Sequence, residues 1–306
     1  MNQQAHTMIQ AALVADALSL PAHWNYDSEA ISARWGLITE LHTPPAEGYH
    51  GGQPAGGQTH YGVQALVLLD TLAAQQGPFD AAAFMASWRK FWASTPPSYM
   101  DGATRQTLAH LEAGAPVLEA GSPSSDWGGA SRGVPLIAAT LKQDERTAVA
   151  AVMAQTELTH RDPVVIEGAA FWTRAVRHVA AGKPVPEALE AAATAEYLAL
   201  PAVEMLARAL ATLPQGGVAA VQALGPACGI QGALPATLAL ALLYADDLEM
   251  ALIENVMAGG DSAARGLALG ALLGAKPGAQ VPERWLMAWQ ARERVNAALG
   301  GLATRP

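Results

Sequence analysis

Alanine fills 67 of the 306 positions. That bias limits the fold more than any other feature, because alanine is the strongest helix former and is depleted in strands. Leucine is also frequent, whereas only 6% of residues are aromatic and β-branched residues are few. The chain is expected to be all-α. Local spacing agrees: Phe84, Trp88, Phe91 and Trp92 fall at i, i+4, i+7 and i+8, and Val203, Leu206 and Leu210 at i, i+3 and i+7. Each set makes one apolar stripe, read here as core. Asp162 before Pro163 reads as an N-cap, and Pro184 and Pro201 open the next two helical stretches. Counting such segments gives about a dozen helices.

Two regions resist helix. Thr39 to Gln58 carries Pro44-Pro45 and five glycines, and Gly114 to Gly133 carries Gly121-Ser122-Pro123 and Gly128-Gly129. Long loops of this kind often carry function. Neither is a charge-rich linker, so one domain over residues 1–306 is expected. Gly266, Gly270 and Gly274 recur every four residues and so share one helix face, where another backbone can approach closely. No segment offers the ~18 uninterrupted apolar residues of a membrane span. A net charge of -9 opposes broad contact with a phosphate backbone, so nucleic acid is not an expected partner. The single cysteine, Cys228, and the lack of a signal-peptide pattern point to a soluble cytoplasmic protein. The sequence sets no oligomeric state.

Most chemical motifs are missing: there is no Gly-Lys-Ser phosphate loop, no paired CxxC and no His-Glu-x-x-His. Gly129-Ala130-Ser131-Arg132-Gly133 matches Gly-x-Ser-x-Gly, but a nucleophile elbow needs a hydrophobic strand before it, and Ser124-Ser125-Asp126-Trp127-Gly128 precedes it here. A glycine-flanked helix start is the better reading. Gly259-Gly260-Asp261 opening a helix presents free backbone N–H groups beside a carboxylate, suited to an anion and to a cation or sugar hydroxyl. Taken alone, Asp261 there is an N-cap.

Other segments change its weight. Ala15-Asp16-Ala17-Leu18-Ser19-Leu20-Pro21, Gln58-Thr59-His60-Tyr61-Gly62, Gly128 to Leu136, Thr159-His160-Arg161-Asp162-Pro163, Gly259-Gly260-Asp261 and Val281-Pro282-Glu283-Arg284-Trp285 stand in order along nearly the whole chain. Together they resemble the ADP-ribosylglycohydrolase family. Ala22-His23-Trp24-Asn25-Tyr26-Asp27 continues in the style of its J-crystallin branch. The resemblance implies a compact orthogonal bundle of helices and hydrolysis of a ribosyl bond in a small-molecule or ADP-ribosyl-type substrate.

It also implies a pair of magnesium ions, held by a Thr-Asp-Asp loop and a closing Gly-Gly-Asp-Thr-Asp-Thr. Thr59 and Asp261 match ligand positions in those motifs, whereas His60 and Tyr61 replace the two loop aspartates and Ala263 and Ala264 replace the last aspartate and threonine. One carboxylate and one hydroxyl do not balance two divalent cations, and imidazole suits zinc better than magnesium. His23, His60 and Asp261 are therefore a candidate mononuclear site. The catalytic candidates are Asp261 or Asp16 as a carboxylate stabilising an oxocarbenium-like state, with His60 or His23 as general acid or base. The substrate-binding candidates are Thr59, Tyr61, Trp24, Gly260, Ser262, Arg132 and Arg265, the last as a cation for a phosphate. The bland readings make Asp16 a hydrogen-bonding group of the fold, His160 a helix cap beside Asp162, and Trp24 a packed aromatic. Tyr49, His50 and Trp127 sit in or beside the glycine-rich loops and stand outside the main set. The competing function is a non-catalytic homologue, either a nucleotide-sugar binder or a J-crystallin-like structural protein.

Overall fold

The computed structural model describes residues 3–75, 77–94 and 99–303. Those residues form helices and no strand, with isolated bridges at Ser122–His160 and Asp126–Gly229. Helix starts are set by side chains that take up otherwise unbonded N–H groups. Asp27, Asp101, Asp144, Asp247 and Asp261 each accept from a backbone N–H in the first turn, and Asp162 does so ahead of Pro163–Ala180. Pro184 and Pro201 precede Val185–Ala193 and Ala202–Thr212. Short helices such as Gly128–Ser131, inside the stretch Gly114 to Gly133 that reads as irregular, Val134–Ala139 and Glu283–Ala288 carry the total past the dozen that periodicity suggests.

Two helices make the centre. Gln3–Ser19 packs along Ser262–Gly274, and every residue of the second is buried. Apolar surface on all sides is the mark of a helix wholly surrounded by others. The four-residue glycine repeat explains the closeness: a Cβ on Gly270 would lie 2.5 Å from the carbonyl oxygen of Ala11, and one on Gly274 would lie 3.1 Å from Cα of Met8. This crossing carries Asp16, near the end of the first helix, toward Asp261 at the start of the second.

Gly270→Ala should therefore lower Tm by about 2–6 °C, since overpacking costs about 1–3 kcal/mol and 1 kcal/mol shifts a chain of this size by about 2 °C. Helix propensity alone favours alanine by about 1 kcal/mol, so a rise in Tm would contradict the packing argument. Gly300, whose Cβ would meet nothing within 4 Å, is the control; Gly300→Ala should leave Tm unchanged or raise it.

Of the stripe Phe84, Trp88, Phe91 and Trp92, three are buried as expected and Phe91 is half-buried against the core. Val203 and Leu210 are not: they are 65% and 45% exposed, while Met205, Leu206 and Ala209 face inward. The three-residue spacing was too sparse to fix which face of Ala202–Thr212 turns to the core. Thr39 to Gln58 contains no helix, as expected. Among the described residues, no helix is long and apolar enough to cross a membrane.

Candidate functional site

The Gly-Gly-Asp turn is held on both sides by backbone. Gly259 and Gly260 have φ of 65° and 59°, and a Cβ on either would lie 2.2 Å from the carbonyl oxygen of Asn25 or 2.1 Å from that of Pro226. Only glycine fits there. Gly260 N donates to Asn25 O (2.6 Å), Trp24 N to Gly260 O (2.7 Å), and Asp261 N to Pro226 O (2.7 Å). Trp24 pays for this stitching with a left-handed φ of 64°, unusual for a non-glycine residue. Asp261, fully buried, then accepts from Ala264 N and caps Ser262–Gly274.

A second capped start faces it. Thr59 caps His60–Ala74, and Asp16 accepts from Thr59 N (2.8 Å), Thr59 Oγ1 (2.5 Å) and Gly62 N (3.1 Å). Burial nonetheless pushes the Asp16 carboxyl up to about 7, against those three donors. The first turn of this helix presents His60 and Tyr61. Tyr61 fits because residue 128 is glycine: a Cβ there would lie 2.0 Å from its ring.

The Tyr61 hydroxyl lies 2.7 Å from Asp126 Oδ2 and 3.3 Å from Asp261 Oδ2. One hydroxyl has one proton to donate, so both contacts are satisfied together when one carboxyl is protonated and donates to the Tyr61 oxygen. Burial raises both carboxyls, and the charges of Asp261 and Asp101 further raise Asp126; Arg265 opposes the shift at Asp261. The shared proton accordingly rests on Asp126, and Asp261 is the ionised partner. Cys228 stands beside both, with the three groups' ligand atoms within 4.8 Å of one another.

The histidines form an adjoining cluster. His50 Nε2 lies 3.2 Å from His60 Nδ1, and His23 Nδ1 lies 3.5 Å from Asp261 Oδ1. Burial lowers the imidazole of His50 and of His60 to about 3 and that of His23 well below its usual range. His23 thus stands beside both Asp261 and His60, its ring centroid 5.6 Å from that of His60, but the imidazoles group with His50 and Asp261 groups with Asp126 and Cys228. Trp24 stacks on His23 at a centroid distance of 4.5 Å and meets Tyr49 and Tyr99 edge-on. A cavity of about 290 Å³ opens beside His23, Trp24, Tyr49 and His50.

The remaining candidates lie further into the protein. Arg132 is buried and donates to Gln64 Oε1 (2.6 Å) and to Thr159 Oγ1, while Gln64 also bonds Asp101 and Trp88. Arg265 spends its donors on Asn255 Oδ1 and on the carbonyls of Asn255, Pro226 and Gly259. Ser262 accepts at its carbonyl from Ser19 and Asn255, and its hydroxyl is buried without a hydrogen bond. His160 does not cap a helix: Asp162 does so alone, and the His160 ring packs over Gly129 with Nδ1 3.0 Å from Thr159 Oγ1. Ser131 lies buried in the helix Gly128–Ser131, with no strand before it. Trp127 is core against Trp172.

Sequence reasoning missed Asp126 and Asp101 and set His50 aside. Asp126 stands one residue before a tryptophan and two glycines and accepts from Gly128 N at 2.7 Å. That is a signal of the same kind as the one that marked Asp261.

The arrangement of capped helix starts around a buried carboxyl and imidazole pocket, in a wholly helical fold, defines a class that the comparisons identify. A family profile described as ADP-ribosylglycohydrolase matches residues 2–305. The chain belongs to the ADP-ribosylglycohydrolase family. Among solved structures it is similar to one described as an ADP-ribosylglycohydrolase-related protein complex, at 23% identity over 98% of this chain and 96% of that one, with a TM-score of 0.72. The fold is thus the all-helical one of that family. No curated protein matches significantly.

Proposed function

We propose that the chain, acting as one domain over residues 1–306, hydrolyses the N- or O-glycosidic ribosyl bond of an ADP-ribosyl-type substrate at an altered site. The observation that carries this is the Tyr61 hydroxyl between two buried carboxyls, 2.7 Å from Asp126 and 3.3 Å from Asp261. Breaking a ribosyl bond needs an acid for the leaving group and negative charge for the oxocarbenium-like state. A protonated Asp126 supplies the first by giving its proton to the leaving atom; ionised Asp261 supplies the second and takes a proton from the water that adds to the ribosyl carbon. His23 stands against Asp261, with Nδ1 3.5 Å from Oδ1. The family's magnesium pair does not fit this donor set. Ala263 and Ala264 offer no ligand, the Thr59 hydroxyl is donated to Asp16, and His60 and Tyr61, which stand in the motif where the family has its two loop aspartates, offer no carboxylate.

The test is release of ADP-ribose from arginine-linked and serine-linked ADP-ribosyl peptides, with and without added magnesium. Turnover independent of magnesium is expected, falling about 10²–10⁴-fold in Asp261→Asn and Asp126→Asn, as for loss of an acid–base group. Wild-type protein that turns over neither peptide would sink the reading. The alternative is then a non-catalytic homologue that binds the nucleotide sugar or serves structurally. What favours it is the complete burial of Asp261, Tyr61 and His60. It predicts an ADP-ribose thermal shift without turnover, or no shift.

A further inference from the structure

We propose that His23, His50 and His60 form a mononuclear site for a zinc-class divalent cation, a site separate in its ligands from the family's magnesium positions apart from residue 60. One ring nitrogen from each of the three lies within 4.8 Å of the others. Tetrahedral coordination at about 2.0–2.1 Å places ligand nitrogens about 3.3 Å apart. His50 Nε2 and His60 Nδ1 already stand at 3.2 Å, so binding requires His23 to draw in and His50 Nε2 to give up the His60 backbone N–H that it accepts at 3.3 Å.

The second observation is the want of partners. Both ring nitrogens of His23 and Nε2 of His60 are buried without a hydrogen bond. A buried polar nitrogen left unbonded is costly, and a cluster of imidazoles with such nitrogens is suited to a bound ion. Carboxylates stand behind two of the rings, Asp261 at 3.5 Å from His23 and Asp101 at 3.9 Å from His60. Ligating imidazoles are commonly oriented this way, and the two negative charges offset a dication. Three neutral nitrogen ligands select zinc, cobalt or nickel over magnesium. His23 and His50 also line the cavity of about 290 Å³, which gives the cation an entry path and leaves a fourth position for water or an anion.

The proposal stands on the three rings and not on the ribosyl substrate, so its test is read without turnover. The full chain, stripped with a chelator, is titrated calorimetrically with zinc, cobalt and magnesium, and the cobalt-loaded protein is followed by its visible ligand-field absorption. One zinc or cobalt per chain is expected, with the intense bands of low coordination number and no displacement by magnesium. His50→Gln, at the cavity edge, should weaken binding at least about tenfold with an unchanged circular dichroism spectrum. Should that variant misfold, His23→Gln is read in its place. No saturable uptake of zinc or cobalt by the wild type overturns the site, and so does uptake that a folded variant leaves unchanged. Either result leaves the peptide-hydrolysis test as it was.

Discussion

An Arg265→Ala variant is expected to melt about 6–10 °C below the wild type at neutral pH. The guanidinium is fully buried and joins three stretches of chain: Asn255 on the helix Leu248–Met257, Gly259 in the glycine turn, and Pro226 in the loop that receives Asp261. Removing it leaves those acceptors unpaired in the interior, and takes from Asp261 the cation that favours its ionised form. Breaking a buried charged network in this way costs about 3–5 kcal/mol, or about 6–10 °C in a chain of this size. Arg265→Met, which keeps much of the volume but none of the N–H donors, separates hydrogen bonding from packing and should lose most of the same stability. Arg265→Lys should rescue little, because one ammonium cannot reach acceptors spread around the edge of a planar fork. A thermal melt of Arg265→Met within about 2 °C of the wild type would show that the network contributes little.

That role was out of reach of the sequence. Arg265 lies four residues after Asp261, and spacing alone made it a cation for a phosphate; the acceptors that engage it are carbonyls, which have no sequence signature. Features settled by local chemistry were legible. Asp162 before Pro163 caps its helix, and the Gly266–Gly270–Gly274 face meets another backbone, because capping and close approach depend on residues a few positions apart. The facing pair Thr59 and Asp261 came from ordered motifs along the chain. Asp126 and His50 did not, since what makes them notable is contact with Tyr61 and His60, the first across 65 residues of sequence and the second over 10. Val203 and Leu210 show the reverse limit: an apolar stripe in a short helix is no guide to burial when alanines on the opposite face pack closer.

The buried titratable groups give the protein a pH profile in two windows, which two substitutions should separate. Burial and Arg132 lower the His160 imidazole to about 3. The unfolded chain then holds a proton the native state lacks between that value and about 6.5, so His160 contributes stability above 6.5 that is lost as pH falls. One such histidine is worth about 2 kcal/mol between pH 6.5 and 4.5. Asp16 acts with the opposite sign. Its carboxyl, pushed up to about 7, holds a proton in the native state that the unfolded chain gives up near 4, so its contribution is complete at low pH and is lost as pH rises through about 7. Between pH 4.5 and 6.5 the two oppose each other at similar size. Tm measured against pH in chelator-treated protein should therefore respond in different places. His160→Gln flattens the acid side, whereas Asp16→Asn steepens it and removes a loss of about 1 kcal/mol between pH 6.5 and 8. The slope is the readout, because either substitution shifts the whole curve through packing. If Asp16→Asn left the alkaline slope of the wild type intact, the carboxyl would already be ionised below pH 6.5, and its three hydrogen bonds from Thr59 and Gly62 would outweigh burial.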